Sequence, residues 1–122
     1  MLRDDLASGA LGIEVIDVGP GTATAAMTIT DTMVNGHAIG HGGYVFLLAD
    51  TAFAYACNSY GVATVAASAD ITFIAPVYAG DRLTAVGVER AKWGRSGIYD
   101  ITVSNQARVV AEFRGNSRTI AR

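Results

Sequence analysis

The chain has 122 residues, about half of them hydrophobic, with nine Lys or Arg against eleven Asp or Glu and a net charge of −2. That length suits one domain with a proper core, and the slight acidity argues against nucleic acid as the main partner. No apolar stretch approaches the ~20 residues of a membrane span, Met1-Leu2-Arg3-Asp4-Asp5 carries no secretory pattern, and a lone Cys57 suits a reducing cytoplasm.

In chain order, residues 11–18 read as a weak strand. A clearer one follows, because Ala23, Ala25, Met27 and Ile29 alternate with Thr22, Thr24, Thr28 and Thr30. A loop over 31–41 holds Asn35-Gly36-His37 and Gly40-His41. Residues 44–57 then form an apolar run with one acid, Asp50, at its centre. A segment apolar on nearly every side predicts a buried helix, from about Gly43 to Ser59, stopped by Gly61. Residues 63–75 read as a strand with Val65, Ala67, Ala69, Ile71 and Phe73 on one face. Pro76 closes it, and Gly80-Asp81 turns the chain into 82–92. Gly94-Arg95-Ser96-Gly97 connects to 98–104, and the last strand, 108–119, points Val109, Ala111 and Phe113 inward. One long helix among five or six consecutive antiparallel strands makes a single α+β domain over 1–122, the sheet wrapped around the helix. One sheet cannot cover such a helix all round, so a second subunit is expected to complete the core.

The chemistry gathers at the helix. A carboxylate taken out of water costs several kcal/mol or more without a partner, so Asp50 signals a site. Gly42 and Gly43 leave the first helical N–H groups unobstructed. An acid beside an open helix N-terminus suits hydrolysis. Eight of the nine basic residues lie between 82 and 122, a distribution able to hold a small phosphate-bearing ligand, with Lys92, Arg95 and Arg114 as leading candidates. The plainer readings are a structural role for Asp50, solvated strand faces for the cations, and inert packing for Cys57. His37 and His41 could suggest zinc, but they sit on a Gly-rich loop with only Asp50 as a third ligand, so no metal is expected. Gly94-Arg95-Ser96-Gly97 lacks both the spacing and the setting of a nucleophile elbow.

Asn35-Gly36-His37, His41-Gly42-Gly43, Leu48-Ala49-Asp50-Thr51 and Ala56-Cys57-Asn58-Ser59, with Ile71-Thr72-Phe73, Ala79-Gly80-Asp81 and Phe113-Arg114-Gly115 downstream, closely resemble the hotdog-fold acyl-CoA thioesterases. The best match is the PaaI branch, linked to phenylacetic acid breakdown. The resemblance covers residues 10–120. It implies the hotdog fold, acyl-CoA substrates with aromatic or medium-sized acyl groups, no cofactor, and a homodimer or homotetramer. It also implies roles. Asp50 drives hydrolysis, Gly42 presents its N–H to the thioester oxygen, Asn35 holds the carbonyl or the water, and Ser68, with Thr72 and Thr51 behind it, steadies that water. His41 fixes the loop by hydrogen bonding, and Gly43, Tyr44 and Thr51 border the substrate.

Gly42 and Asp50 lie eight residues apart, about 12 Å along a helix, whereas attack needs both groups close to one carbon. Acid and donor are therefore expected to come from different chains. A hotdog dehydratase or hydratase would use a His and an acid in another arrangement, and a non-catalytic acyl-CoA-binding module would have no need of Asp50.

Overall fold

The computed structural model describes residues 11–37 and 39–120. The reading of the N-terminal residues 1–5 lies outside them. Six strands follow in chain order: β1 (Glu14–Gly19), β2 (Thr22–Thr28), β3 (Thr64–Phe73), β4 (Arg82–Trp93), β5 (Ser96–Ser104) and β6 (Val109–Thr119). They pair antiparallel in one sheet of order β1-β2-β4-β5-β6-β3. Between β2 and β3 runs a 3₁₀ turn, Asp31–Met33, and then the helix α1, Gly42–Cys57. No helix among the described residues is long and apolar enough to cross a membrane.

Small residues let α1 settle onto the sheet. Ala49, Ala52 and Ala56 are fully buried, as are Ala23, Ala25 and Ala85 on the strands opposite, and the helix rests mainly across β2, β4 and β5. Phe53 fills the centre, with its ring 5.7 Å from those of Tyr99 and Phe113. Such tilted pairs add roughly 0.5–1.5 kcal/mol beyond the area they bury. Gly115 makes room for this cluster: a Cβ there would lie 2.7 Å from the Phe53 ring.

Two of the four register shifts among the described residues move side chains off the faces that simple alternation predicts. A bulge between Ala66 and Ser68 on β3 adds a residue, so the one face that alternation predicts for Val65 through Phe73 breaks in two. Ala69, Ile71 and Phe73 share a face with Gly115, Phe113 and Ala111, whereas Val65 pairs with the exposed Arg118. A shift between β5 and β6 near Ser104 likewise makes Val110 the buried residue and leaves Val109 exposed. An extra residue in one strand re-aims every side chain beyond it. The strand β3 is otherwise the outermost on its side of the sheet and exposed along most of its length, because α1 lies over the strands at the sheet's centre.

Candidate active site

The loop before α1 is held at several points. Val34 bridges Gly40, Asn35 N–H donates to the Ile39 carbonyl (2.8 Å), and His41 N–H donates to Met33 (2.7 Å), itself anchored in the core. The Asn35 side chain tightens the turn, its Oδ1 accepting from the N–H groups of His37 (2.8 Å) and Ile39 (3.3 Å). With Oδ1 so engaged, the amide Nδ2 is the part of Asn35 that can face a ligand.

This loop delivers His41 as the N-cap of α1. Its Nδ1 accepts from Gly43 N–H (3.0 Å), and its carbonyl accepts from Tyr44 N–H (3.0 Å). An accepting Nδ1 puts the proton of the neutral ring on Nε2. The same bond engages Gly43 N–H within the helix cap. Gly42 N–H comes first in the helix and has no intrahelical acceptor. Gly42 lines an open, largely apolar cleft of about 430 Å³ whose other walls include Ile39, Val45, Phe73, Ile74 and Val77. A donor at a positive helix end, facing an apolar cavity, is suited to stabilise developing negative charge on an oxygen.

Asp50 lies two turns along the helix. It is half-buried, not enclosed. The physical reason is a stripe: Gly43, Leu47, Asp50 and Ala54 recur at helical spacing on the face turned from the sheet, and all keep some exposure. The uncovered helix face and the acid therefore coincide. Cys57 is buried one turn past that stripe. Desolvation, with the Asp50 charge adding to it, pushes its thiol up to about 11, so it is protonated and inert at neutral pH.

The other expected residues separate. Ser68 sits on the sheet's outer face, opposite Asn116, whose Nδ2 donates to its Oγ (2.9 Å). Thr72 also faces outward, opposite Glu112. Neither hydroxyl shares the helix side of the sheet. Thr51 is buried and its hydroxyl donates to the Leu47 carbonyl (2.8 Å), a bond within the helix. Arg114 is engaged within the sheet. It clamps Asp100 with two hydrogen bonds (2.6 and 2.8 Å) and shares its outer-face depression with Asp70 and Glu112, a setting that repels anions. These hydrogen bonds hold the Asp100 carboxyl below the usual carboxylate range. Lys92 and Arg95 do meet, in a smaller cleft of about 180 Å³ beyond the other end of α1, with Lys92 Nζ 5.4 Å from the centre of the Tyr60 ring. Tyr44 is partly buried at the helix start, edge-on to His41. His37 is exposed on its loop, and among the described residues no group of three or more His, Cys, Asp or Glu is placed to hold a metal ion.

Sequence reasoning passed over the cleft walls. Phe73-Ile74-Ala75-Pro76 leaves β3 as an unbroken apolar segment, a signal that the chain keeps an apolar surface past the strand's end.

Residues 37–112 match the Thioesterase superfamily. The acyl-coenzyme A thioesterase PaaI of Escherichia coli is 49% identical over 121 residues, covering 98% of this chain and 86% of that protein. The solved structure of the E. coli PaaI protein, from the phenylacetic acid degradation operon, superposes with a TM-score of 0.97 at 48% identity, over 99% of this chain and 88% of that one. A mutant of the phenylacetic acid degradation protein PaaI of Thermus thermophilus superposes at 0.92 and 34% identity, over 95% of this chain and 100% of that one. Likeness this close, spanning loop, helix and sheet together, carries the family with it: the chain belongs to the Thioesterase superfamily and is a thioester hydrolase on the hotdog fold.

Proposed function

We propose that this chain hydrolyses acyl-CoA thioesters to the free acid and CoA, with aromatic and medium-sized acyl groups preferred and phenylacetyl-CoA and its ring-hydroxylated relatives first among them. The observation that carries the reading is Gly42, which opens α1 with an N–H lacking an intrahelical acceptor and lines an apolar cleft. The phenylacetic acid setting of the relatives supports the aromatic preference.

The thioester oxygen accepts from Gly42 N–H, where one well-placed donor is worth about 10²–10³ in rate. Asp50 either takes a proton from the attacking water or attacks the carbonyl carbon itself. Asn35 Nδ2 orients the water or the carbonyl. With Ser68 and Thr72 on the outer face, Asn35 is the stronger candidate for that task. The two principal groups come from different chains, since about 12 Å of helix separates them. Two features support a dimer as the minimal unit, assembling further to a tetramer. The stripe bearing Asp50 lacks cover, and β3 offers an exposed edge to which a second copy can add its own strand. Lys92 and Arg95 are the cations placed to receive CoA phosphates.

A panel of acyl-CoAs assayed by thiol release tests this reading. Arylacetyl and medium-chain thioesters should turn over, and Asp50→Asn should lower kcat at least ~10²-fold in a folded protein. Failure of every acyl-CoA, or near wild-type turnover in the variant, would defeat it.

A further inference from the structure

Phe73 closes β3 on the helix side of the sheet, opposite the fully buried Ala111, yet 53% of its surface is exposed. A core-facing ring left half in water forgoes much of the stabilisation that burial would supply. Its position explains the exposure. The ring lies against the first residue of α1 and not among the core side chains farther along it. A Cβ built on Gly42 would stand 2.9 Å from Phe73 Cζ and 3.2 Å from Cε1, so the ring tip lies against the residue that opens α1 and lines the cleft. Among the described residues no other aromatic ring stacks on it. Phe73 also lines the cleft, beside Ile74 and Val45.

We infer that Phe73 is the residue that sets acyl specificity: its ring is the surface on which the group attached to the thioester carbonyl packs. The inference rests on the thioesterase reading above. A carbonyl oxygen held by Gly42 N–H leaves the acyl substituent a few ångströms away, within contact of the ring tip. An aryl substituent can then sit edge-on or offset against Phe73, with ring centres roughly 4.5–7 Å apart. An acetyl group is too short to gain much from that surface. Phe73 thus discriminates between acyl groups while leaving the chemistry at Gly42 and Asp50 unchanged.

The test is the ratio of kcat/KM for phenylacetyl-CoA to that for acetyl-CoA, measured in the wild type and in Phe73→Tyr, Phe73→Leu and Phe73→Ala, with oligomeric state followed in parallel. Tyr should retain the ratio. Leu, which keeps apolar bulk without a ring, should lower it about 3-fold or more, and Ala about 10-fold or more. A ratio unchanged in both Leu and Ala overturns the assignment of Phe73 alone, as does an equal loss on the two substrates, which would make the ring a structural or subunit contact. Hydrolysis of neither substrate while other acyl-CoAs turn over would overturn the arylacetyl preference and the assignment with it, whereas failure of every acyl-CoA would overturn the thioesterase reading.

Discussion

The two ends of α1 use their polar groups in opposite ways. At the C-terminal end the bonds close on one another. Asn58 Nδ2 donates to the carbonyls of Ala54 (2.8 Å) and Thr64 (3.0 Å), while its Oδ1 accepts from Thr64 N–H (2.9 Å). Ser59 Oγ accepts from Gly21 N–H, and the hydroxyls of Tyr60 and Tyr99 both donate to Glu89 Oε1. Burial and the Glu89 charge together hold the Tyr99 phenol above its usual range. At the N-terminal end the loop is equally well tied through Asn35 Oδ1 and His41 Nδ1, but the helix opens on Gly42, which lines the cleft. One end is an anchor and the other an open site. Both look alike as sequence, a few polar residues flanking an apolar run. What separates them is whether each donor finds a protein acceptor.

The sharpest way to break that comparison is to damage each end and read both activity and stability. Asp50→Asn belongs to the working face and should cost at least ~10²-fold in kcat with the fold retained. Asn58→Ala removes three hydrogen bonds at the anchored end, at roughly 1 kcal/mol each. It should lower stability by about 2–3 kcal/mol in denaturant titration, while kcat per folded molecule stays within about twofold. If Asn58→Ala impaired kcat as severely as Asp50→Asn, the division between anchor and site would fall.

A second measurement asks whether the open end is completed by a partner. Gly42→Pro removes the N–H at a position where proline suits the first helical turn, and the exposed Phe73 ring beside it has room to yield. Alone, Gly42→Pro and Asp50→Asn should each be nearly inactive. Mixed and allowed to exchange chains, they should recover roughly a quarter of wild-type activity, the share of sites that receive neither lesion in randomly paired two-fold dimers. No recovery, with mixed dimers demonstrated and Gly42→Pro shown to fold, would place acid and donor in one chain.

Much of the fold was legible because period-two patterns mark the strands and the single long apolar run marks the helix. The run also pointed to Asp50 and Gly42, since an acid and two glycines stand out against it. Register was not legible. The bulge at Ala66–Ser68 obeys no composition rule, and it is what turns Val65 away from the face of Ala69, Ile71 and Phe73. The partner of Arg114 was hidden for a related reason: in sequence it is one cation among several, and only strand pairing reveals Asp100 directly opposite. Alternation placed Phe73 on one face with Ala69 and Ile71. Its exposure depends on where α1 begins relative to the end of β3, and no local pattern encodes that offset.

The smallest effect is expected at Asn35, where two roles share one side chain. Its Oδ1 holds the turn through His37 and Ile39 N–H, and its Nδ2 is the group free to touch substrate or water. Asn35→Asp keeps an acceptor for the turn and removes the donor, whereas Asn35→Ala removes both. If Nδ2 does the orienting, each variant should lose about tenfold in kcat/KM, a loss of alignment smaller than that of the acid itself. Ala should in addition loosen the loop, seen as faster amide exchange at His37 and Ile39. An Asp variant that works as well as wild type, beside an Ala variant that does not, would make Asn35 an anchor like Asn58 and leave Gly42 to hold the carbonyl without it.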